Sequence, residues 1–177
     1  MEIGNCDRRE RHVPRGGKVE KKPIQADPIY QNLVVAKLVN KVMRDGKKSL
    51  AQKIVYGAFE HVKSQGHDPI QIFEKALENI TPKMEVRPRR VGGASYMVPM
   101  EVRGVRRQSL ALSWLVKAAV NRPLPDVSAR LKNKPVMIVK LAQEILEASQ
   151  NAGNAISKKE EINRMAEANK AFAHFRW

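Results

Sequence analysis

The stretch Met84–Arg107, MEVRPRRVGGASYMVPMEVRGVRR, reads as two short extended arms joined at Gly92-Gly93. Two-residue hairpin turns need positive φ, which glycine adopts without a steric penalty, so the pair marks the reversal. Pro88 and Pro99 would damage a central strand. In a two-stranded ribbon every strand is an edge, one side needs no partner, and prolines discourage a third strand from adding. The ribbon is expected over residues 84–101. An isolated hairpin is marginal in water, so it is expected to be mobile alone and set in place by its ligand. Between Lys83 and Arg107 stand seven Lys or Arg (Lys83, Arg87, Arg89, Arg90, Arg103, Arg106, Arg107) against two acids, Glu85 and Glu101. A protruding ribbon with this excess of positive charge suits a nucleic-acid groove.

Outward from the ribbon, apolar residues recur at helical spacing. Upstream, Asp27-Pro28 gives a helix start, with Val35, Leu38, Val39 and Val42 on one face and Asp45-Gly46 as the stop. A second helix carries Ala51, Ile54, Val55, Ala58, Phe59 and Val62 and ends near Gly66. The third opens at Asp68-Pro69, with Gln71 in the capping-box position, and buries Ile70, Phe73, Leu77 and Ile80 before Pro82. Downstream, a fourth helix presents Leu112, Leu115, Val116 and Ala119, with Leu110 and Trp114 widening the face, and ends at Pro123 and Pro125. A fifth runs from Pro135 with Ile138, Leu141, Ala142, Ile145 and Leu146. Ser157 with Glu160 predicts a capping box for a sixth, whose stripe is Ile162, Met165, Ala166, Asn169 and Phe172. The expected fold is mainly α: a bundle of six helices with one two-stranded β-ribbon between the third and fourth.

Residues 1–26 are polar and basic, with Pro14, Gly16, Gly17 and Pro23 scattered through them, and read as an arm that orders on its partner. Residues 27–177 form one helical domain, broken by a long loop from Asn121 to Lys134. The 177 residues suffice for one domain with a core, and the formal net charge of +15 makes a polyanion the expected partner. Cys6 is the one cysteine and has no partner for a disulfide, so a reducing cytosol is the expected compartment. No run of about 18 apolar residues predicts a membrane span, and no secretory or transit leader is expected.

Catalytic signatures are missing. DGKKS, Asp45 to Ser49, resembles the tail of a phosphate-binding loop, but the upstream glycine is absent and Lys48 stands where Ser or Thr belongs. His12, His61, His67 and His174 are scattered, with no HExxH pair and no cysteines at zinc spacing. No GxSxG elbow occurs, and Glu85, Glu101 and Glu144 read as salt-bridge partners. Neither an enzyme nor a metal or cofactor site is expected. Cations that neutralise phosphates release counterions, so roughly six to ten contacts would lose about three to five decades of affinity between about 50 and 200 mM salt. Tyr96 and Trp177 are candidate stacking platforms, each as apt to pack as to stack.

Three motifs in order carry a resemblance: DGKKS after an amphipathic helix, the block RRVGGASYMVPMEVRGVRR, and the ending RMAEANKAFAHFRW. From about Asp27 to Trp177 the chain resembles the bacterial form of ribosomal protein seven of the small subunit, a universal family. The resemblance implies a primary binder of small-subunit ribosomal RNA that nucleates assembly of the head. It also implies a position beside the transfer-RNA exit site and the messenger-RNA exit path, among neighbouring small-subunit proteins, as a monomer in the cytoplasmic ribosome. On matching positions it assigns ribosomal RNA to Lys47, Lys48, Arg87, Arg89, Arg90, Arg103, Arg106, Arg107, Arg164 and Arg176, and Arg15, in the basic arm ahead of the resemblance, is expected on the same RNA. It turns the tip, Val91, Gly92, Gly93, Ala94, Ser95 and Tyr96, toward the transfer-RNA exit site.

Two segments depart from the family pattern: a leader longer than its usual short basic start, and the loop at Asn121 to Lys134, an insertion of roughly ten residues expected on the surface. A second reading is a DNA-bending architectural protein, since helices plus a basic arm with a proline also describe dimeric minor-groove binders.

Overall fold

A computed structural model describes residues 23–123 and 136–175 of the chain. The leader through residue 22, most of the expected 121–134 loop, Arg176 and Trp177 lie outside the described residues. Among those described, six α-helices appear in the order α1 (Leu33–Val42), α2 (Lys48–Ser64), α3 (Pro69–Ile80), α4 (Gly104–Asn121), α5 (Val136–Ser149) and α6 (Asn154–Ala168). Strands β1 (Met84–Val91) and β2 (Ala94–Glu101) lie between α3 and α4, and a 3₁₀ segment, Lys170–Phe175, follows α6.

α5 organises the body, packing against α2, α3 and α4. Its sequence is apolar around most of its circumference, as a helix enclosed by neighbours must be, and Ile138, Val139, Leu141, Ala142, Ile145 and Ala148 are buried. Each flanking helix contributes one stripe: Val35, Leu38 and Val39 from α1, Val55, Phe59 and Val62 from α2, Phe73, Leu77 and Ile80 from α3, Leu112, Leu115 and Ala119 from α4. Phe59 anchors an aromatic group, its ring centroid 5.2 Å from Tyr30 and 5.5 Å from Phe73, distances at which edge-to-face pairs add to burial.

Two helix starts differ from the sequence expectation. α1 opens at Asn32, whose Oδ1 accepts from the Val34 amide at 2.7 Å. Asp27 caps a separate turn before it, accepting from the Ile29 and Tyr30 amides at 3.2 Å each, and Gln31 at φ 49° divides turn from helix. The spare oxygen of Asp27 accepts from the Tyr56 hydroxyl at 2.7 Å. Burial and then that hydrogen bond push the Tyr56 phenol up to about 12. Asp27 therefore ties the incoming chain to α2 instead of starting α1. α3 starts as expected, with Asp68 accepting from the Ile70 amide at 3.0 Å and Pro69 at the first helical position.

α6 begins at Asn154, three residues before the expected Ser157. Ser157 donates to the Gly153 carbonyl at 3.2 Å from inside the first turn, so it forms no capping box. The cap comes from another helix: Glu144 of α5, fully buried, accepts from the Ala155 amide at 2.8 Å. Its other oxygen meets Arg122, just past α4, at 3.0 Å, and Arg122 also pairs with Glu147. Gly153 is required here twice over. It sits at φ 95°, and a Cβ would lie 3.0 Å from Glu144 Oε1. Burial raises the Glu144 carboxyl above the usual range, against the lowering effects of the Ala155 amide and Arg122. On α6 the expected stripe is only partly right: Ala166 is buried, but Met165 is exposed, and Ala155 and Ile156 seat the helix instead.

Candidate nucleic-acid interface

The ribbon has the expected boundaries. β1 and β2 pair antiparallel from Met84↔Glu101 to Val91↔Ala94, leaving Gly92 and Gly93 as a two-residue turn at φ 58° and 87°, the positive values that glycine supplies. Gly92, Gly93, Ala94 and Ser95 are exposed at the tip, with Val91 and Tyr96 half-buried.

It is not an isolated hairpin. α6 packs on β1, and the 3₁₀ segment packs on β2. Tyr96 lies 5.2 Å from the Phe172 ring and 5.3 Å from Phe175, and Val98 is fully buried. Tyr96 thus packs against the C-terminal segment, and the expectation of a hairpin standing alone gives way to one supported as far as Tyr96, close to its tip. Tyr96→Ala is expected to loosen that support: amide exchange should speed up in β2 while the core of α2 and α3 stays protected. Unchanged exchange in β2 would show that the aromatic contacts contribute nothing to docking.

Register distributes the cations over both faces. Opposite residues share a face, so Arg87 lies with Val98 and Arg89 with Tyr96, while Arg90 lies with Ser95 on the other side. Their electrostatic states differ. Glu85, 7% exposed, receives both Arg87 and Arg106, and Arg106 Nε donates to its two oxygens at 2.9 and 2.8 Å. Arg107 pairs with Glu101 at 3.1 Å. Arg89, Arg90 and Arg103 are exposed and make no ion pair with a described residue. Three of the six arginines are therefore tied to acids of the ribbon itself, and the other three present charge that no described acid neutralises.

Lys47 and Lys48 open α2 in exposed positions, and Arg103, Arg106 and Arg107 open α4. Neither first turn holds an acid. Cations beside the positive end of a helix oppose its stability, and the combination instead concentrates potential for an anion. A cleft of about 890 Å³ adjoins the start of α2. Lys47 shares its lining with four cations that the motif reading missed, Lys41, Arg44, Lys117 and Lys140, against one acid, Asp45. They come from α1, α4, α5 and the α1–α2 turn, so only the folded body brings them together. Arg164 is exposed on α6, while Arg15 and Arg176 lie outside the described residues. No group of three potential metal ligands, and no helix long and apolar enough to cross a membrane, occurs among the described residues.

A helical body that carries a supported cationic ribbon, two basic helix starts and a basic cleft defines a polyanion-binding protein. The family is fixed by comparison: residues 14–170 match the one described as Ribosomal protein S7p/S5e, and the chain belongs to it. The small ribosomal subunit protein uS7 of Caldanaerobacter subterraneus subsp. tengcongensis is 54% identical over 166 residues, covering 93% of this chain and all of that relative. Those of Caldicellulosiruptor saccharolyticus and Thermodesulfovibrio yellowstonii are 55% and 52% identical with the same coverage. The match begins at residue 14, inside the arm, thirteen residues before the point where the motifs take hold.

Proposed function

We propose that this chain is a structural constituent of the small ribosomal subunit that binds its ribosomal RNA directly, as a primary binder that nucleates assembly of the head. The ribbon tip, Val91 to Tyr96, faces the transfer-RNA exit site beside the path of the emerging messenger RNA, and neighbouring small-subunit proteins are its other partners. Its role is positioning, with no bond made or broken. The observation that carries this reading is the set Arg89, Arg90 and Arg103, exposed and without an ion pair to any described residue, on and beside a ribbon held by the body. Arginine's planar fork suits phosphates of a preformed fold, because less entropy is lost for each hydrogen bond it forms.

The test is competition at matched ionic strength. Labelled small-subunit RNA bound to the full chain should be displaced by unlabelled small-subunit RNA and poorly by duplex DNA of equal charge. Equal displacement by DNA, with a dimer in solution, would favour the DNA-bending alternative.

A further inference from the structure

The C-terminal aromatic group contains one ring that the docking of the ribbon does not use. Phe172 and Phe175 both face Tyr96. His174 does not, yet its ring centroid is 3.9 Å from that of Phe175, and it is exposed. Its Nδ1 lies 2.8 Å from the Ala171 carbonyl. A carbonyl only accepts, so Nδ1 carries a proton, and that hydrogen bond sets the plane of the ring. Such a ring gains little from burial but is fixed in orientation, and a fixed exposed ring loses little entropy when another flat ring covers it. Arg89, which makes no ion pair with a described residue, stands directly across the ribbon from Tyr96 on the face that the aromatic group occupies. Aromatic surface beside a free guanidinium is the pairing by which proteins hold single-stranded nucleic acid, base on ring and phosphate on cation.

We propose that His174, backed by Phe175, forms with Arg89 a stacking site for an unpaired nucleobase, built jointly by the C-terminal segment and the ribbon. The site rests on the RNA-binding reading above and adds to it a preference for unstacked bases over duplex. Tyr96 is the support beneath this site, since its ring is engaged by Phe172 and Phe175.

His174→Ala tests this in the full chain, with amide exchange in β2 as the control that losing the ring's contacts to Phe175 and the Ala171 carbonyl leaves the ribbon docked. Binding of a mixed-sequence single-stranded ribo-oligonucleotide should fall about 5- to 100-fold, the range for loss of one base–ring stack. The slope of log affinity against log salt should stay as in the parent, because no phosphate contact is lost. Affinity for an RNA duplex should not change, and His174→Phe should restore single-strand binding. Unaltered single-strand affinity in His174→Ala would overturn the proposal, as would an equal loss for duplex. Failure of the wider RNA-binding reading would look different: the parent chain itself would bind neither the single strand nor the duplex at moderate salt.

Discussion

Glu144→Ala is expected to destabilise the fold by about 3 kcal/mol or more, within the roughly 3–5 kcal/mol found when one partner of a buried ion pair is removed. The carboxylate joins three elements: it caps α6 through the Ala155 amide, holds Arg122 at the end of α4, and belongs to α5. Alanine leaves a buried amide without an acceptor, itself worth about 1–3 kcal/mol. Arg122 keeps Glu147, which limits the remaining loss. Because total stability of a domain is about 5–15 kcal/mol, chemical denaturation would show the change clearly. A loss under about 1 kcal/mol would mean that α6 needs no cap from α5.

Glu144→Gln separates the roles of charge and hydrogen bond. Glutamine Oε1 can still accept from Ala155, so its cost at neutral pH should be well below that of alanine. The pH dependence follows from the direction of the shift. The folded-state pKa lies above the ordinary 4.5, chiefly through burial, so the folded state binds this proton more tightly than the unfolded state does. Its contribution is therefore complete below the ordinary carboxylate range and is lost as pH rises through the raised value. Relative to Glu144→Gln, the parent should lose stability as pH rises above the ordinary carboxylate range. A gap that widens in favour of the parent over that rise would contradict the raised pKa.

The sequence made the ribbon legible because its determinants are local. Two glycines need positive φ, two prolines need edges, and the alternation between them fixes the register. The apolar stripes of α1 to α5 were readable for the same reason, through a period that needs no partner to be seen. What failed depended on distant residues. Asp27 resembles a helix cap because only the fold brings Tyr56 to it, and Ser157-Glu160 resembles a capping box because the acceptor that serves α6 comes from α5. The candidate site divides along the same line. Counting arginines located the surface, but Arg87 and Arg106 converge on Glu85, at positions 85, 87 and 106, and no spacing rule joins those three. Lys117 and Lys140 sit on separate helices and enter the cleft only once α4 and α5 pack.

That division decides which arginines report on RNA. The triple variant Arg89→Ala, Arg90→Ala, Arg103→Ala is expected to weaken binding to small-subunit RNA by about two to three decades near 0.1 M salt. Each phosphate contact steepens the log–log salt dependence by about 0.9 on a duplex and 0.7 on a single strand, so three lost contacts should flatten it by about 2–3. The electrostatic term fades toward about 1 M salt, where parent and variant should converge. Thermal stability should hardly move, since exposed unpaired charges contribute about 0.5 kcal/mol or less to folding. Arg106→Ala makes the contrast: it strips the buried Glu85 of its two-point partner, so folding and binding should suffer together, and any loss of affinity is confounded. Filter binding over a salt series measures both slopes. A triple variant that kept the parent's slope would mean these three side chains touch no phosphate, and the anion-binding surface would have to lie in the cleft of Lys41, Lys47, Lys117 and Lys140 instead.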